Sequence, residues 1–436
     1  MIGDISAGDA LPSSQLQMAA AEPVTPKVRL PQHAPMTQWP VVDDCLVVGG
    51  VSVATLARRL GRTPFYAYDR KVLGERLALL RRHLPRGIAL HYAVKANPMP
   101  ALVAHLARLV DGIDVASGGE LNAALDAGMN PAQISFAGPA KSEAELAQAV
   151  AAGILVNVES PREIDLLARL AKEMRLPARV AVRVNPDFEL KSSGMKMGGG
   201  PKQFGIDAER VPDSLEQIGR LGLSFEGFHI FSGSQNLDAG AICESQQKTI
   251  DLALRLARSA PSPVRSLNIG GGFGIPYFPG DTPLDLVPIG KNLQDLAERT
   301  KVALPDAELV VELGRYIVGE CGIYVCRVVE RKISRGQVFL VTDGGLHHHL
   351  AASGNFGQVI RKNYPVIIGN RVSGSRREIA SVVGPLCTPL DLLADRMEFA
   401  EAHADDLVVV FQSGAYGATA SPQAFLSHPA VLEALV

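Results

Sequence analysis

Between about residues 63 and 315 the chain repeats one alternation eight times. A short apolar, β-branched run is followed by a longer stretch in which Leu, Ala and Arg fall at helical spacing. That change of period marks βα units, whose helices cross back over a parallel sheet. The runs are LHYAVKAN (90–97), IDVAS (113–117), ISFAG (134–138), ILVNVE (154–159), RVAVRVNP (179–186), SFEGFHIFSGSQ (224–235), VRSLNIGGGFG (264–274) and LVVELGR (309–315). Segments such as Glu143–Ala152 and Ile164–Lys172 supply the helices. Eight units predict a (β/α)8 TIM barrel, an α/β fold whose strand C-termini converge on one mouth.

The pattern changes after Arg315. IYVCRVVERK, QVFLVTDGG and LVVVFQSGAY alternate with turns and lack long helical spacers, which predicts a C-terminal all-β domain over 316–436. VVDDCLVVGG (41–50) is expected to add a strand to it, so segment 41–62 is assigned to that domain and 63–315 to the barrel. Residues 1–40 carry Asp4, Asp9, Glu22 and six prolines, which reads as a poorly ordered tail rather than a signal peptide. A length of 436 residues suits two domains. A net charge of −2 gives no reason to expect nucleic acid or an anionic membrane as partner. No apolar run approaches the length of a membrane span. Five cysteines argue against a disulfide framework and for a reducing, cytoplasmic compartment. Cys321 and Cys326, five apart in an expected strand, point to opposite faces and do not pair.

Polar and glycine residues gather where barrel strands end: Lys95 and Asn97, Asp114 and Ser117, Arg183 and Asn185, Ser234 and Gln235, Gly270 to Gly272, Glu312 and Arg315. A lysine closing an apolar strand is expected to be desolvated, with a lowered pKa and a nucleophilic amine; the alternative is a lysine that snorkels to water. Gly270–Gly272 follow the seventh strand, where barrels commonly hold phosphate, although a plain tight turn has the same sequence. Glu312 ends LVVE and needs a cation, either Arg315 in a structural pair or a protonated heterocycle. Cys387 reads by default as a small buried hydrophobe and Tyr416 as a packing tyrosine. His347–His349 are expected to alternate faces of a strand, so no metal site is assigned.

Taken in order, these segments resemble the fold-type III pyridoxal-phosphate (PLP) decarboxylases, the group of diaminopimelate and ornithine decarboxylases. The likeness runs from about Thr63 to the C-terminus. It rests on YAVKAN (92–97), IDVASGGEL (113–121), QFGI (203–206), GSQ (233–235), GGGFG (270–274), ELGR (312–315), GPLCTPLD (384–391) and GAY (414–416). It implies an alanine-racemase/decarboxylase-type barrel plus β-domain, with Lys95 holding PLP as a Schiff base and Glu312 holding the pyridinium proton. Ser234, Gly271, Gly272, Arg315 and Tyr416 would hold the phosphate, with Asp114, Arg183 and Phe231 completing the cofactor site. Cys387, reaching over the partner's barrel in a homodimer with shared active sites, would protonate the carbanion left by CO2. Thr388 and Asp391 would meet the amino-acid substrate.

Three departures bear on that substrate. A ring-stacking histidine is usual two residues before the Gly-Ser of GSQ; here that position is Phe231, with His229 two residues earlier. Thr388 stands where diaminopimelate enzymes carry Glu, and Ala351 and Asn355 replace their Arg and Tyr. The partners of diaminopimelate's distal end are therefore missing, and another substrate is expected. GMKMGGGPKQFG (194–205) with FHIFSGSQ is most similar to a subgroup found with exosortase systems, often associated with acyl carrier proteins and acyl ligases. That implies an amino acid presented on a carrier protein. An amino-acid racemase of the same fold is an alternative, against which Glu312 speaks, since alanine racemases put Arg at the ring nitrogen. A non-catalytic PLP-binding protein is another; those are single barrels, and the second domain here argues against it.

Overall fold

The computed structural model describes residues 32–189, 195–196 and 198–436. The barrel strands are β1 Ile88–Ala93, β2 Gly112–Val115, β3 Ile134–Phe136, β4 Leu155–Val158, β5 Arg179–Asn185, β6 Ser224–Ile230, β7 Ser266–Gly271 and β8 Glu308–Leu313. Each pairs in parallel with the next, and β8 returns to β1 through Glu312 opposite His91, closing the barrel. β1 to β4 are buried throughout because helices cover one face and the barrel interior the other.

The helices follow local chemistry. Glu143–Ala152 begins with a reciprocal capping box between Ser142 and Glu145 and stops at Gly153. Pro161–Met174 has Ser160 as cap and proline in its first turn, and buries Ile164, Leu167 and Leu170 against the sheet. Inside the barrel a polar chain crosses four strands. His91 Nδ1 lies 3.0 Å from Asp114 Oδ1, Ser135 donates to the same oxygen, and Asn157 donates to Ser135. Asp114 draws His91 to a raised pKa although burial alone would lower it.

The second domain is built on the long strand Gly322–Ser334. Its first half pairs with Leu407–Val410 and with Phe65–Tyr68, its second half with Gln337–Thr342. Phe65–Tyr68 thus lies in the second sheet, although its sequence falls within the range expected for the barrel. Nothing in the apolar run FYAY distinguishes a barrel strand from a buried sandwich strand. Segment 41–52 forms its own three-stranded sheet and joins the second domain through single bonds, Leu46 N–H to Gly369 O and Val372 N–H to Asp44 O.

The expected N-terminal tail lies outside the described residues up to position 31. Beyond it, Trp39 is buried and stacked on Phe411 at 5.4 Å, while its neighbours from 32 to 40 are exposed or half-buried. His347–His349 form a turn rather than the expected strand, since the His348 and His349 amides both donate to Gly345 O. Among the described residues no helix is long and apolar enough to cross a membrane.

Candidate active site

Lys95 sits on the single 3-10 turn Val94–Ala96 just beyond β1, and Glu312 is in β8 beside it. The lysine Nζ lies 3.2 Å from Glu312 Oε1, and His229 Nε2, from β6, lies 3.1 Å from Glu312 Oε2. The Lys95 side chain is 47% exposed while that of Glu312 is 4% exposed. The expected lowering of the Lys95 pKa is therefore corrected. Glu312 raises it to about 12, because Coulomb attraction outweighs the partial burial. Burial pushes the Glu312 carboxyl up, but Lys95 and His229 together hold it well below the usual carboxylate range.

Phe231, Ser234, Gly272, Arg315 and Tyr416 line the same recess as Lys95 and Glu312. Phe231 places its ring centroid 5.5 Å from the lysine Nζ. Gly272 has φ +77°, and a Cβ there would lie 2.6 Å from Gly233 O, so only glycine lets the two loops close at this point. Gly271 pairs with Glu312 across β7 and β8. Arg315 caps the recess between aromatic faces, 4.6 Å from the Tyr416 centroid and 5.4 Å from that of Tyr277, and donates to Tyr277 Oη at 3.0 Å. Among the described residues it has no carboxylate partner, and its Nε is buried without an acceptor. Tyr416 comes from the β-domain of the same chain. Its amide donates to Ala96 O, and Asn97 Nδ2 donates to Gly414 O, so the loop is bolted to the turn that carries Lys95. Gly414 is required there, since a Cβ would lie 1.7 Å from Val318 O.

The remaining expected site residues do not line that recess. Asp114 belongs to the polar chain inside the barrel, with Oδ2 buried and unpartnered among the described residues. Arg183 donates to Glu159 Oε1 at 2.8 Å and lies over the Phe204 ring. Cys387 is exposed and is absent from the Lys95 recess. Thr388 stays within its own loop, its hydroxyl accepting from Leu390 N–H. Asp391, expected at the substrate, is 2% exposed, and its two oxygens accept from Leu346 and Leu386 N–H. Its carboxylate folds the loop that carries Cys387. Ala351 is buried, and Asn355 bonds Ser353 Oγ. The sequence assigns no role to Tyr277 or Glu159, and marks His229 only by its offset from Phe231. Glu159 ends ILVNVE as Glu312 ends LVVE, so the strand-end rule could have found it.

A buried-edge cation without a carboxylate partner among the described residues, a lysine–carboxylate pair at the strand ends and a glycine turn with a left-handed residue form the donor set for an anionic aldehyde cofactor with a basic ring. The family model for the pyridoxal-dependent decarboxylase, pyridoxal binding domain, matches residues 70–319. The chain belongs to the pyridoxal-dependent decarboxylases. The L-glutamyl-[BtrI acyl-carrier protein] decarboxylase of Niallia circulans is 37% identical over 88% of this chain and 90% of that protein. The diaminopimelate decarboxylase of Aquifex aeolicus is 35% identical over 90% and 91%. The crystal structure of diaminopimelate decarboxylase from Helicobacter pylori complexed with L-lysine superposes with a TM-score of 0.77 at 26% identity, covering 88% of this chain and 94% of that one. This decarboxylase is a PLP-dependent enzyme acting on an amino acid, with the barrel-plus-sheet fold expected from its sequence.

Proposed function

We propose that this enzyme decarboxylates an α-amino acid whose far end is an acyl thioester on a carrier protein, and that it works as a two-fold dimer with shared active sites. The chemistry rests above all on one observation, the ionised and buried Glu312 at the barrel mouth beside Lys95. Bound there, PLP supplies an electron sink for the pair released when the substrate carboxylate leaves as CO2.

Lys95 would hold the cofactor covalently until the substrate amine takes its place. Arg315, Ser234, Tyr416 and the Gly271–Gly272 turn hold the phosphate, and Phe231 packs on the ring face. Arg183, whose charge acts on Lys95, stands close enough to complete the surroundings. Glu312 keeps a proton on the ring nitrogen, which deepens the sink and favours loss of CO2 over racemisation. Lys95 Nζ lies against Glu312 Oε1. With that carboxylate engaged by a bound ring nitrogen, the main cause of the lysine's raised pKa would be gone and its amine would be free to act as a base or nucleophile.

Cys387 is exposed in its own chain, and a loop tied down by Asp391 presents it outward. That supports a role over the partner's barrel, where it protonates the α-carbon and where the β-domain excludes water. Thr388, Ala351 and Asn355 leave a second amino-acid terminus without a charged partner. The Niallia circulans relative, by its name, acts on a carrier-bound glutamyl group, which supports the tethered substrate. Five free cysteines suit a cytoplasmic setting.

The test is CO2 release by the PLP-loaded protein from free L-glutamate, free meso-diaminopimelate and L-glutamyl-acyl carrier protein. The tethered substrate should be turned over and the free amino acids poorly. Efficient turnover of meso-diaminopimelate would overturn the substrate assignment.

A further inference from the structure

His229 is a buried polar residue that the roles assigned above leave unused. It is 3% exposed, and its Nδ1 is buried with no partner among the described residues. Its only hydrogen bond there is from Nε2 to Glu312 Oε2. A carboxylate oxygen only accepts, so Nε2 carries the proton and the contact is charge-assisted. As a packing choice this histidine is poor. Phe225, Phe228 and Ile230 of the same strand are buried without any polar atom to satisfy, whereas His229 leaves one ring nitrogen unpaired. The ring therefore earns its burial through Glu312.

The two carboxylate oxygens are divided between two donors. Oε1 meets Lys95 and Oε2 meets His229. Lys95 must leave Glu312 when the cofactor's ring nitrogen takes its place, but His229, fixed on β6, need not move. Without it, Glu312 would keep one oxygen bare in a buried site. It could then rotate, or become neutral by taking up the ring proton itself. Phe231 sharpens the point, because the residue at the usual ring-facing histidine position has no polar atom.

We propose that His229 is a positioning residue. By donating from Nε2 to Glu312 Oε2 it fixes that carboxylate's rotamer and keeps it ionised, so that the proton stays on the cofactor's ring nitrogen. This rests on the reading that Glu312 partners that nitrogen. Its experiment is a pair of conservative variants in the holoenzyme, reconstituted with PLP labelled with 15N in the ring and observed by NMR at neutral pH. Glutamine carries its amide nitrogen at the reach of Nε2, whereas asparagine reaches only as far as Nδ1. His229→Gln should keep the protonated ring-nitrogen signal. His229→Asn should shift it toward the unprotonated position and lower kcat roughly ten- to a hundredfold, the rate equivalent of one hydrogen bond to a charged group, with little change in KM. Glu312→Gln is the reference. If it shifts the signal and His229→Asn does not, the role of His229 is overturned and that of Glu312 stands. If neither shifts it, the Glu312 reading has failed as well.

Discussion

At the residue scale, the site turns on a competition for one carboxylate. Glu312 is buried, ionised and shared by Lys95 and His229, so any change to it is felt by both. Glu312→Gln keeps the shape but loses the charge. We expect PLP still to bind through the phosphate while kcat falls on the order of a hundredfold, as for other losses of electrostatic stabilisation of a transition state. Unchanged turnover would make Glu312 only a structural partner of Lys95. Lys95→Ala should abolish the yellow absorbance of the lysine-bound cofactor while the fold persists by circular dichroism, because the lysine side chain is 47% exposed and its loss opens no core cavity. A normal band in that variant would move the covalent link elsewhere. The lysine itself was legible in the sequence as the end of an apolar run, but its raised pKa was not. That depends on a partner 217 positions away, brought alongside only by barrel closure.

At the scale of elements, the eight strands and their order were readable because a period of two and a period of 3.6 differ plainly over a few residues. What escaped was what pairs with what. Phe65–Tyr68 looks like a barrel strand, yet it lies beside Gly322–Val325, and no local signal encodes that partner. The histidine turn escaped in the same way. Its fold depends on Leu346 N–H reaching Asp391, across forty-five positions. That turn carries a consequence for pH. His349 is fully buried, accepts from Ala352 N–H at Nδ1 and so donates to Ser413 Oγ from Nε2. Burial lowers its pKa to about 3. Above pH 6.5 it is neutral in the native and unfolded states alike and contributes no slope. Between 6.5 and about 3 the unfolded chain takes up a proton that the native chain refuses. Stability then falls with decreasing pH, by up to about 1.4 kcal/mol per unit. Urea midpoints of wild type and His349→Gln at pH 7 and pH 5 check this. The variant keeps the donor to Ser413, and its stability should fall less over that interval. Equal losses would show that His349 does not carry the acid sensitivity.

At the scale of the whole molecule, the β-domain serves two ends with two loops. Residues 412–416 dock on the turn bearing Lys95 and bring Tyr416 to their own barrel, held by Tyr416 N–H to Ala96 O. The loop of Cys387, folded around Asp391, leaves that residue exposed and outside the lining of that recess. The proposed role of Cys387 at the barrel of a second copy requires a closed two-fold dimer with two composite sites. Lys95→Ala and Cys387→Ala should then each be nearly inactive alone. After the two variants are mixed, dissociated and reassociated, about half of the dimers are heterodimers under random pairing. Each heterodimer holds one site with both lesions and one with neither, so recovery should approach about a quarter of wild-type activity. If both residues served the same chain's site, every site in the mixture would keep a lesion and nothing would return. Subunit exchange verified by native mass spectrometry without any recovery would therefore put Cys387 at its own barrel or outside the chemistry.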